Sequence, residues 1–129
     1  MTDRMDDLEA VAAVVQMYVD GAARADVELL RQAFLESARM YGYENEVHFD
    51  VPIRDFFDEV ARLPVPGPGF RSHVVSIDVV GDAGVAVLAE DDYQGMNYVN
   101  FFSLVKLEGR WRIANKTFAM TGLAASPLK

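Results

Sequence analysis

The sequence predicts an α+β domain, with helices laid against one face of an antiparallel sheet. Three observations lead to it. In the first half, apolar residues recur at intervals of three and four, the spacing of a helix stripe. From Phe70 onward, β-branched and aromatic runs replace that period. Gly, Asp and Asn interrupt those runs at tight intervals, which joins neighbouring strands as hairpins. Helices followed by a run of hairpin-linked strands segregate into two layers.

Taken in order, residues 6–24 carry Leu8, Val11, Val15, Tyr18 or Val19, and Ala22 on one helical face. Asp26 suits the N-cap of a shorter helix, VELLRQAF, with Glu28 in its first turn. ARMYGY and EVHFDV read as short strands around a turn at Glu44-Asn45. Pro52 opens a third helix, IRDFFDEVARL, which buries Ile53, Phe56, Phe57, Val60 and Leu63. PVPGPG at 64–69 sustains neither helix nor central strand and is a loop. SHVVSIDVV, GVAVLAEDDY and the ribbon NYVNFFSLVKLEGRWRIANKTF then supply four strands in a meander.

The bulk properties narrow the function classes. At 129 residues the chain fits one domain, 1–129. Half of it is apolar, enough for a sizeable core, with mean hydropathy of +0.06. A net charge of −8 opposes binding to nucleic acid or to an anionic membrane. There is no cysteine, so disulfides and thiolate metal sites are excluded. MTDRMDDLEA lacks the basic and apolar regions of a secretory signal, and no apolar run approaches a bilayer span. A cytoplasmic protein is expected.

The ribbon 97–118 alternates with a period of two. Asn100, Phe102 and Leu104 share one face, opposite Val99, Phe101 and Ser103. In the last strand Ala114, Lys116 and Phe118 share a face, opposite Trp111, Ile113, Asn115 and Thr117. Lys106 has the parity of Asn100 but lies beside the turn, which predicts a solvent-exposed end.

AVVQMYVDGAARADVELLRQAFLESARMYG and YVNFFSLVKLEGRWRIANKTF resemble the opening helices and the last hairpin of the nuclear transport factor 2-like superfamily. Trp111, Ile113 and Lys116 match the WxI–x–x–K ending of its branch named "Putative lumazine-binding", or polyketide-cyclase-like. The resemblance spans nearly the whole chain. It implies a cone-shaped, curved antiparallel sheet wrapped around three helices of the N-terminal half, the cystatin-like arrangement, with an open cavity. It also implies that Asn100, Phe102, Lys116 and Phe118 face the interior. The superfamily holds isomerases, hydrolases, dehydratases, cyclases and non-catalytic modules, so fold analogy alone assigns no chemistry.

AVVQMYV and AEDDYQG further resemble segments of bacterial ketosteroid isomerases. Tyr18 then matches the oxyanion-hole tyrosine, and the second donor falls near Asn100 or Phe101. The base position falls on Gly42, which has no side chain, so ketosteroid-type isomerisation lacks its proton acceptor.

Each candidate admits two roles. Tyr18 is a core tyrosine or a hydroxyl donor at a cavity floor. Lys116 is a partly buried ammonium paired with an acid, or an anchor for an anionic or carbonyl ligand. Asn100, an amide on an apolar face, needs partners. Phe34, Met40, Phe56, Phe57, Tyr98, Phe102 and Phe118 are core, or the walls of an apolar pocket. Glu90, Asp91 and Asp92 read as a solvated strand end, although Arg71 with one of them would resemble the Arg and Asp pair of epoxide-hydrolysing relatives. His48 and His73 lack metal-ligand spacing, so neither metal nor cofactor is expected.

Three functions follow as expectations. The first is a homodimeric domain, paired through the outer sheet face, that binds a small apolar or partly polar ligand through Tyr18, Asn100 and Lys116. The second is an acid–base enzyme, a dehydratase, isomerase or cyclase, acting on a small cyclic or carbonyl substrate. The third is a non-catalytic dimerisation module.

Overall fold

Asp3 starts the first helix by accepting a hydrogen bond from the Asp6 amide at 2.8 Å, satisfying a donor that helix geometry leaves unpaired. A computed structural model describes residues 3–124, so residues 1–2 and 125–129 of the expected domain lie outside the described residues. Helix α1 runs Arg4–Arg24 and ends at Ala25, whose φ of 53° is left-handed. Its buried stripe includes Val11, Val14, Val15, Tyr18 and Ala22.

Asp26 caps α2 (Val27–Ala33) through the Leu29 amide at 3.1 Å. Leu30 of α2 packs onto Gly21 so closely that a Cβ there would lie 2.7 Å from Leu30 Cγ. Only glycine admits that approach of α2 to α1. Strand β1 (Phe34–Glu44) follows without a linker, turns at Asn45 (φ 57°), and pairs with β2 (Val47–Pro52). Pro52 then caps α3 (Ile53–Arg62), which buries Ile53, Phe56, Phe57 and Val60.

After the 63–70 loop come β3 (Arg71–Val80), β4 (Ala83–Tyr93), β5 (Met96–Leu107) and β6 (Arg110–Leu123). The sheet curves around the helices without closing, in the order β2-β1-β6-β5-β4-β3. Its ladders are antiparallel with one exception. β1 and β6 run parallel, a pairing between distant strands that hairpin signals cannot reveal.

One parity expectation is overturned. Trp111 and Ile113 are 5% and 0% exposed and belong to the inner face, together with Lys116 and Phe118. The register moves from Ile113 opposite Leu104 to Asn115 opposite Ser103, so Ala114 is an extra residue in β6. Such a bulge reverses the alternation, and strict counting back from Lys116 therefore assigns the wrong face to Trp111 and Ile113.

Lys106 also departs from its expected place. It is part-buried and its ammonium bonds Asp7 Oδ1 at 3.0 Å, while Trp111 Nε1 donates to the same oxygen at 3.0 Å. These bonds tie α1 to the β5–β6 hairpin. The Trp111 bond, then the Lys106 bond, hold the Asp7 carboxyl below its ordinary pKa.

Candidate functional site

Strand pleating builds the site. On the inner face Glu90 of β4 stands opposite Tyr98 of β5, Asn100 opposite Phe118 of β6, and Phe102 opposite Lys116. Asn100 thus has Glu90 on one diagonal and Lys116 on the other, within reach of side chains. Helix α1 covers this row with Tyr18 and α3 covers it with Phe56.

The row borders a cavity of about 70 Å³. Of the residues expected from sequence, Tyr18, Met40, Phe56, Tyr98, Asn100, Lys116 and Phe118 line it. Phe34, Phe57 and Phe102 instead stand in the core behind the wall, with Phe34 edge-on to Phe57 at 5.6 Å and Phe102 edge-on to Tyr18 at 4.9 Å. Glu44, Phe49, Glu59, Leu63, Glu90, Tyr93, Gln94 and Met96 complete the lining. Gln94 donates to the Pro64 carbonyl at 2.7 Å and so fastens the 63–70 loop beside the cavity.

Lys116 is the most unusual of these groups. It is 5% exposed, and among the described residues its ammonium has no hydrogen-bond or ion-pair partner. Its neighbours are ring faces: Phe56 at 3.8 Å, Tyr18 at 5.1 Å and Phe118 at 5.8 Å. Cation–π attraction offsets part of the lost hydration but does not replace it. Burial accordingly lowers the Lys116 pKa to about 8, against the opposing pull of Glu90, Glu59 and Glu44.

Glu90 corrects the sequence expectation of a solvated strand end. It is 3% exposed, and its Oε1 accepts a short hydrogen bond from Asn100 Nδ2. Oε2 has no partner among the described residues. Burial raises its pKa, opposed by the Lys116 charge and the Asn100 bond. The alternation Ala86, Leu88, Glu90 carries the signal that composition hides, because all three share the buried face of β4.

The tyrosines frame the same space. Burial, with Glu90 nearby, raises the Tyr18 pKa well above its ordinary value, so the hydroxyl stays protonated. Tyr98 donates to Glu44 Oε2 at 3.2 Å, and burial raises the pKa of Tyr93 and Tyr98. The cavity therefore joins apolar walls to hydroxyl donors, a carboxyl with a free oxygen and a desolvated amine.

The remaining sequence candidates lie elsewhere. Arg71 pairs with Asp91 at 3.5 Å on the exposed side of the sheet, away from the cavity. His48 sits in β2 and His73 in β3, the opposite edges of the sheet. Among the described residues no group of three or more His, Cys, Asp or Glu side chains could hold a metal ion. None of the described helices is long and apolar enough to cross a membrane. Gly42, at the isomerase base position, leaves no room for a base: a Cβ there would run into the Phe118 carbonyl and ring.

Comparison with known proteins now adds lineage to this geometry. The chain is 24% identical over 117 residues to aldolase FrzH of a Cladobotryum species, covering 87% of this chain and 90% of that one. An NTF2-like protein of unknown function from Shewanella baltica OS155 superposes with a TM-score of 0.86 at 29% identity, covering 93% and 98% of the two chains. Another from Methylobacillus flagellatus KT gives 0.83 at 28% identity, covering 91% and 94%. Residues 6–119 match the family described as "Putative lumazine-binding". Matched over most of its length, the chain belongs to that family within the nuclear transport factor 2-like superfamily.

Proposed function

We propose that the protein binds a small, mostly apolar molecule bearing a carbonyl group in the cone cavity, with Lys116 and Tyr18 as polar contacts. The observation that carries this is a buried amine that borders a cavity and, among the described residues, meets ring faces and no hydrogen-bond or ion-pair partner, while Asn100 holds one oxygen of Glu90 beside it. Buried polar groups find partners, and a ligand oxygen would supply one. Glu90, Glu59 and Glu44 around a single lysine disfavour an anionic ligand and favour a neutral one. Saturation-transfer NMR with small neutral ketones is expected to report contact in wild-type protein. Absence of contact from every ketone tested, at millimolar concentration, would refute the reading.

A second reading is acid–base catalysis on such a carbonyl compound. It is favoured by two groups whose environments move their pKa values toward each other, a raised carboxyl and a lowered amine. The similarity to an aldolase agrees with carbonyl chemistry. Exchange of α-protons of a simple ketone for deuterium, followed by NMR, tests it. Exchange faster than buffer, and lost in Glu90→Gln, is expected; a rate equal to buffer would exclude it.

The same reading includes a homodimer formed through the outer sheet face. Phe101 and Val85 are each 46% exposed and Val75 is 56% exposed, with Val87 between them in the sheet. An apolar patch on an otherwise acidic chain suits a second copy of itself.

A further inference from the structure

We propose that Lys116 captures a small aldehyde or ketone as a covalent imine inside the cone cavity. The inference rests on the ligand-site reading above and deepens it, turning a polar contact into a nucleophile.

A lysine held by a carboxylate is locked as an ammonium and has no lone pair to donate. Among the described residues Lys116 has no such partner, although Glu90 lies on the neighbouring diagonal. Asn100 engages Glu90 Oε1 and leaves Oε2 without a partner among the described residues. The rings of Phe56, Tyr18 and Phe118 lie against the amine where it borders the cavity, an apolar setting in which desolvated lysines act as nucleophiles. With its pKa lowered to about 8, about a tenth of the amine is neutral at pH 7, against roughly one part in three thousand for an ordinary lysine.

The step balances without an oxidant or reductant. The Lys116 nitrogen lone pair forms a bond to the carbonyl carbon, and the C=O π pair moves to oxygen. That oxygen takes a proton from the Glu90 carboxyl, whose Oε2 is unpartnered among the described residues. The nitrogen returns a proton to Glu90, giving a neutral carbinolamine. Glu90 then protonates the hydroxyl, the C–O bond breaks to release water, the nitrogen pair forms C=N, and the remaining N–H proton goes back to Glu90. Amine and carbonyl become imine and water.

The chain has three lysines, Lys106, Lys116 and Lys129, so capture can be assigned by peptide mapping. Wild-type protein would be treated with butanal and cyanoborohydride at pH 7, and the initial rate of N-butylation followed at each lysine. In parallel, saturation-transfer NMR would follow 1-butanol, which has the same chain and no carbonyl. Modification of Lys116 at least about tenfold faster than of Lys106 and Lys129 is expected of a cavity-bound carbonyl held against the Lys116 amine. If 1-butanol contacts the protein but Lys116 reacts no faster than the other two, the imine proposal fails and the ligand site stands. If neither compound contacts the cavity, both fail. Because wild-type protein is used throughout, no outcome depends on a variant folding.

Discussion

At the scale of the residue, Lys116 couples the site to stability. Its folded pKa of about 8 lies below the ordinary lysine value of 10.5, so the unfolded chain binds the proton more tightly. Between those values the unfolded state carries more protons, and stability must rise with pH. The groups facing it are Glu90 from β4, Glu59 from α3, Glu44 from β1 and Tyr18 from α1. Tyr18, Tyr93 and Tyr98 act with the opposite sign above their ordinary pKa, since their raised values keep protons on the folded state. Comparison with Lys116→Met cancels the tyrosines. Urea unfolding at pH 8, 9 and 10 is expected to show wild-type protein gaining about 2 kcal/mol on the variant. Equal slopes would mean that the lysine is not desolvated in solution.

At the scale of the element, β6 decides which residues reach the cavity. Its bulge at Ala114 lets Trp111 and Ile113 enter the core near the hairpin turn while Lys116 and Phe118 still point inward further along. Close approach of β1 to β6 sets a second constraint at Gly42, where a Cβ would collide with Phe118 O and lie 2.8 Å from the Phe118 ring. Overpacking of this kind costs about 1–3 kcal/mol, and Gly42→Ala is expected to lose at least that in chemical denaturation. Because Phe118 is a cavity wall, the same substitution should also weaken ketone contact in saturation-transfer NMR. An alanine tolerated without loss would show that the parallel β1–β6 ladder can shift.

At the scale of the whole molecule, the outer face carries the remaining prediction. Light scattering at micromolar concentration is expected to give twice the monomer mass for wild-type protein and the monomer mass for Phe101→Glu. The substitution places a charge at the centre of the apolar patch, across the ladder from Val87 and Thr117. A monomer mass for the wild-type chain would remove the dimer from the proposal.

The α+β class, all three helices and the hairpin meander were legible in the sequence, because they depend on local periodicity, caps and turns. Asp3 and Asp26 cap, Pro52 starts a helix, and the 3.6 and 2.0 periods separate the layers. The same alternation, together with family resemblance, assigns Asn100, Lys116 and Phe118 to the inner face. What the tertiary structure alone decided is non-local. The parallel β1–β6 ladder joins strands far apart in the chain, the Ala114 bulge reverses a face in mid-strand, and the approach of α1, α3 and β4 desolvates both Glu90 and Lys116. Period and propensity report a residue's own neighbours along the chain. Burial and pKa depend on what the fold brings from elsewhere.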